Sequence, residues 1–92
     1  MTFKYPVIIT PHTEDSGFHA EFPDLEMCYA DGADLEDTID AAFEAGSNWI
    51  TVELEEFDGD LPESTHPDDI PLKEGQFVRI ITVHYQLMPD ND

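Results

Sequence analysis

The chain has 92 residues, of which 22 are acidic and three basic (Lys4, Lys73 and Arg79), giving a formal net charge of −19 at pH 7. Binding a nucleic-acid backbone requires Lys and Arg side chains to displace its counterions, so this composition excludes direct nucleic-acid binding, and an anionic membrane surface repels the chain equally. A field of this sign instead speeds and orients the approach of a cationic partner, with a basic protein as the natural class; the alternative is that the charge serves solubility alone.

The length suits one small domain, and 40% hydrophobic residues, among them six Phe, three Tyr and one Trp, suffice for a single modest core. The apolar residues fall in periodic blocks, which predicts one folded domain over residues 1–87 followed by a disordered acidic tail over residues 88–92. A single cysteine, Cys28, forms neither an internal disulfide nor a cysteine metal cage, in keeping with a reducing compartment. The amino terminus lacks a signal-peptide pattern and no run reaches membrane-spanning length, so the cytoplasm is the expected location.

Residues 3–10 alternate, with Phe3, Tyr5, Val7 and Ile9 on one side and Lys4, Pro6, Ile8 and Thr10 on the other, as in a half-buried strand. Pro6 favours an edge or a non-bonded position. A polar stretch ending in Asp15-Ser16-Gly17 leads to a second alternation, with Phe18, Ala20 and Phe22 facing one way and His19 and Glu21 the other, which predicts a hairpin. A third short strand is predicted over residues 27–30, closed by an Asp31-Gly32 turn.

The helix is the clearest element. Asp34 can cap it, Glu36 and Asp37 complement its amino-terminal dipole, and Leu35, Ile39, Ala42, Phe43, Gly46, Trp49 and Ile50 form one apolar stripe. Glu53 would enter that stripe if the helix continued ideally, and Phe57 suggests a return to the core. Gly46 costs about 1 kcal/mol relative to Ala in a helix interior, which close approach to a sheet would explain. Residues 58–76 lack a strong period and make a candidate binding loop, and residues 77–85 read as a strand with apolar residues on both faces, hence buried.

Three strands, a helix and a fourth strand predict an α+β fold, a four-stranded mostly antiparallel sheet with one main helix packed on one face. A helix between the third and fourth strands allows the fourth to lie parallel to the first through a right-handed connection.

Catalytic signals are weak. Asp24, Asp31 and Asp34 flank turns and could hold magnesium as in a nuclease, but acids beside turns are ordinary caps. His12, His19, His66 and His84 have no metal-ligand spacing and read as exposed sheet residues or partner contacts. Cys28 has no neighbouring cation to lower its pKa and reads as a small core residue. The expectation is a non-enzyme without metal or cofactor. The candidate partner-binding residues are Glu36, Asp40 and Glu44 on the helix and Asp58, Asp60, Glu63, Asp68 and Asp69 in the loop.

The run Phe22-Pro-Asp-Leu-Glu-Met-Cys-Tyr-Ala-Asp-Gly-Ala-Asp-Leu-Glu-Asp-Thr38, preceded by Tyr5-Pro-Val-Ile-Ile and Gly17-Phe-His-Ala-Glu and followed by Leu61-Pro-Glu-Ser, resembles the HicB antitoxin family. The resemblance covers roughly residues 5–85. It implies a partial ribonuclease H-like fold (β-β-β-α-β) without the nuclease site, and a cytoplasmic role in a type II toxin-antitoxin pair. The implied partner is a small basic HicA-like mRNA interferase, neutralised by direct binding that denies it RNA. Glu26 and Met27 stand where the family usually carries Pro-Gly. Many relatives append an operator-binding domain, whereas only a few residues follow Tyr85, so no C-terminal DNA-binding domain is expected. A stand-alone acidic module that mimics nucleic acid and a metal-dependent nuclease are the competing readings. Homo-oligomerisation through a free sheet edge is the further expectation.

Because folding gathers so much like charge, raising salt from low to moderate concentration should raise the melting temperature by screening exposed carboxylates. Thermal melts across a sodium chloride series check this, and a flat or falling melting point contradicts it.

Overall fold

The computed structural model describes residues 2–56 and 61–84. Strands β1 (Thr2–Pro11), β2 (Phe18–Glu21) and β3 (Tyr29–Gly32) are followed by helix α1 (Leu35–Glu56), a single 3-10 turn (Pro67–Asp69) and strand β4 (Phe77–His84). The strands form one antiparallel sheet in the order β3-β2-β1-β4. This is the α+β architecture expected from the sequence.

The alternation in β1 places Tyr5, Val7 and Ile9 in the core, where they meet Ala20, Phe22, Ile81 and Val83 from the sheet and Ala42 and Ile50 from α1. Pro6 sits in a strand that is interior to the sheet, yet β1 pairs with β2 only from Ile8 to Pro11. On that side β1 is locally an edge at Pro6, the setting that proline favours within a sheet. Asp34 caps α1 as predicted: its Oδ1 accepts from the Asp37 N–H at 2.8 Å. Thr38 and Ser47 are buried polar residues within the apolar stripe. Thr38 Oγ1 is satisfied through the Asp34 carbonyl at 2.7 Å and the Phe18 carbonyl at 3.3 Å.

Three expectations are corrected. First, β4 runs antiparallel to β1, with Ile9 opposite Phe77 and Thr2 opposite His84, so no right-handed parallel crossover exists. The α1 helix leaves the sheet at the carboxyl end of β1, and the connection after it carries the chain back to that same end before β4 begins. It is tied on the way by the Tyr5 hydroxyl, which donates to the Pro62 carbonyl at 2.6 Å, and by Gln76 Nε2, which donates to Thr10 Oγ1 at 2.9 Å. Second, β4 is an edge strand rather than a doubly covered one. Ile80 is 50% exposed, and Arg79, on the helix side of the strand, turns out to lie 5.7 Å over the Phe77 ring.

Third, β3 starts at Tyr29 and includes Asp31 and Gly32, two residues later than predicted. The preceding residues instead form a compact turn, in which the Leu25 N–H donates to the Phe22 carbonyl, the Cys28 N–H to the Leu25 carbonyl and the Phe22 N–H to the Cys28 carbonyl. Met27 closes it at φ 61°. That left-handed conformation costs an L-residue with a side chain about 1 kcal/mol and is ordinarily given to Gly. Glu53 is half-buried as α1 continues through Glu56, and Leu54 packs on the core. Phe57, Tyr85 and the 88–92 tail lie outside the described residues.

Gly46 lies where helix and sheet come closest. A Cβ built there would fall 2.7 Å from Val83 Cγ1 and 2.8 Å from Phe22 Cζ, both in buried side chains. Gly46→Ala should therefore destabilise the protein by about 1–3 kcal/mol through overpacking, against the gain of about 1 kcal/mol that helix propensity alone would give. Urea denaturation decides the sign.

Candidate partner-binding surface

Three acidic residues of the helix lie on a single ridge. Glu36, Asp40 and Glu44 are all exposed, and because residues four apart lie on one face, the same row continues through Asn48 to Val52. Glu63, Asp68 and Asp69 are exposed in the connection before β4. The structure thus brings the helix trio together in one line and leaves the loop acids on a separate segment. Asp58 and Asp60 lie outside the described residues.

The three aspartates weighed as magnesium ligands are engaged separately. Asp24 accepts from both the backbone N–H and the hydroxyl of Thr65, tying the β2–β3 turn to the connection. Asp34 caps the helix. Asp31 belongs to a histidine cluster that sequence reasoning missed. Among the described residues no group of three or more His, Cys, Asp and Glu side chains has metal-holding geometry. Cys28 is buried, and burial pushes its thiol pKa up to about 11, which suits a core residue and not a nucleophile.

In the histidine cluster, His12 Nδ1 lies 2.8 Å from Asp15 Oδ1 and its Nε2 lies 2.9 Å from Asp31 Oδ1. His19 Nδ1 reaches the same Asp31 oxygen at 3.1 Å. An ionised carboxylate only accepts, so both ring nitrogens of His12 can be satisfied at once only in the imidazolium form. The hydrogen bond to Asp31, followed by that to Asp15, accordingly raises the His12 pKa above its ordinary value. Asp31 is lowered, chiefly by His12, and Asp15 is lowered by the Gly17 N–H and then by His12. The signal available in the sequence was the strand register that sets His19 opposite Asp31; the approach of His12 depends on the hairpin turn and has no local signature.

These shifts fix the sign of a pH dependence. The His12 contribution is fully present below the ordinary histidine pKa of 6.5 and is lost as pH rises through the raised folded value. The Asp15 and Asp31 contribution is present above the ordinary value of 3.8 and is lost as pH falls through the lowered folded values. His12→Gln should therefore lower the melting temperature more at pH 6 than at pH 9. Paired melts of the two proteins across that range check this, since charge repulsion common to both cancels in the difference.

A groove of about 390 Å³ opens between the β2–β3 turn and the second half of α1, lined by Met27, Cys28, Ala45, Trp49, Val52 and Glu53 among others. Trp49 Nε1–H donates to the Glu26 carbonyl at 2.9 Å and so fastens the helix to the turn. Met27 is 81% and Val52 44% exposed.

The fold and this surface define a small acidic α+β protein with exposed apolar and charged faces suited to protein contact. The family model described as HicB_like antitoxin of bacterial toxin-antitoxin system matches residues 5–88, and the chain belongs to that family. No curated protein matches it. Among solved structures, a chain of a toxin-antitoxin complex from Streptococcus pneumoniae shares the fold at a TM-score of 0.82 and 16% identity, over 92% of this chain and 71% of that one. A chain of the HicA3 and HicB3 toxin-antitoxin complex matches at a TM-score of 0.67 and 27% identity, over 89% of this chain and 99% of that one. Among the described residues no helix is long and apolar enough to cross a membrane.

Proposed function

We propose that this HicB-like antitoxin neutralises a small basic HicA-like mRNA interferase in the cytoplasm by binding it directly and masking its RNA-binding and active surface. The observation that carries the reading is the charge: 22 carboxylates against three cations, set on the fold of an antitoxin family. An RNA-cleaving protein must present cations to its substrate, and an acidic surface competes for the same groups. The protein acts as a stoichiometric binder that needs neither cofactor nor metal, and residues 1–87 form the binding domain.

The exposed ridge of Glu36, Asp40 and Glu44, with Glu63, Asp68 and Asp69 in the connection, supplies the field that draws the toxin in. Rim charges of this kind act mainly on the association rate.

Co-expression with the small basic protein encoded beside this chain tests the function. The two should co-purify, and mRNA cleavage by the toxin should be lost; independent elution with undiminished cleavage refutes the reading. Replacing Glu36, Asp40 and Glu44 together with Lys should slow association by about tenfold at low salt and flatten its salt dependence. Stopped-flow mixing at two ionic strengths measures both.

A further inference from the structure

We propose that the groove between the β2–β3 turn and the second half of α1 is the surface on which the basic toxin docks, inserting an apolar side chain between Met27, Trp49 and Val52 while its cations meet the acids around them. This rests on the toxin-neutralising function above and specifies the surface that performs it.

The first argument is shape and polarity. The groove is largely apolar and open, with Met27 and Val52 on its rim, and the Trp49 to Glu26 hydrogen bond holds its two walls in place before any partner arrives. A pre-formed apolar pocket with an aromatic wall is the kind of site that anchors a protein interface.

The second argument is Met27 itself. It holds a left-handed backbone conformation, φ 61°, which favours Gly or Asn, and it exposes 81% of a large apolar side chain. The backbone conformation costs stability in the isolated chain, and so exposed a side chain recovers little of it through contacts within the chain. Covering Met27 in a complex accounts for both at once.

The third argument is charge, and it selects the occupant. Glu53 lines the groove and exposed Glu26 adjoins Met27. The acidic ridge of Asp40 and Glu44 runs through Asn48 into Val52, so the charge that draws the partner leads directly to the apolar site. The chain's three Lys and Arg residues are placed elsewhere: Lys4 on β1, Lys73 shortly before β4 and Arg79 on β4, which is the sheet edge opposite β3. A second copy of the chain would bring Glu26 and Glu53 against the same acids of its partner. A basic protein with an apolar projection meets no such repulsion.

The test titrates the purified basic protein encoded beside this chain into wild type, Met27→Gly, Val52→Arg and Ile80→Arg, with calorimetry for affinity and thermal melts for stability. Met27→Gly should raise the melting temperature of the free antitoxin by about 4 °C and weaken toxin binding by about tenfold. Val52→Arg, at an exposed helix position, should weaken binding by at least about tenfold, and Ile80→Arg on the opposite edge should leave it within about twofold. If wild type binds and silences the toxin while Met27→Gly and Val52→Arg bind equally well, the docking surface is elsewhere and the function stands. If the wild-type chain does not bind the toxin, the function and this inference fall together. Variants that change the sedimentation of the free antitoxin but not its toxin affinity would assign the groove to a second copy and overturn the proposal.

Discussion

At Gly46 the backbone of α1 comes so near the sheet that one added carbon would overlap Val83 and Phe22. This closeness allows a single helix to seal the core formed by Tyr5, Val7, Ile9, Ile81 and Val83, leaving Ile50 and Ala42 fully buried between the layers. The constraint is severe because the protein has little else to set against its own charge. Carboxylates that repel each other must all be held at the surface, and dense apolar packing is the term that offsets their gathering. The polar ties outside the core, Asp24 to Thr65, Tyr5 to Pro62 and Gln76 to Thr10, fasten the connection before β4 to this packed centre.

The same arrangement makes the surface usable. Once the apolar stripe of α1 faces inward, residues four apart fall in rows on its outer side, and Glu36, Asp40 and Glu44 occupy one of them. A charge excess that composition presents as a bulk property thus becomes a directed feature with two ends. One end is the capped helix start near the His12 cluster, and the other is the apolar groove at Val52 and Met27.

Most of the architecture was legible because it rests on local periodicity. The β1 alternation, the hairpin, the helix with its Asp34 cap and the reason for Gly46 all follow from side-chain spacing. The errors share a different origin. The direction of β4 depends on where the long connection returns the chain, and a non-periodic loop carries no record of that. The late start of β3 depends on a left-handed backbone at Met27, a residue type that gives no sign of one, although the family's usual Gly at that place did. Apolar residues on both faces of β4 suggested burial, but the strand closes the sheet and leaves Ile80 half-exposed. For the surface, residue type identified the acidic row, while the groove and the His12–Asp31–His19 cluster arise only when distant segments meet.

Trp49 is the chain's single tryptophan, and its indole stands in the wall of the groove with its N–H on the Glu26 carbonyl. Emission excited selectively at the indole, beyond the absorption of the three tyrosines, is therefore a local signal and not an average over the molecule. Its wavelength and its access to a neutral quencher report the wetness of that one site, and they are almost blind to events at the β4 edge or at the hairpin. The protein carries its own probe for the occupancy of the groove, with no label to disturb an already crowded field of charge.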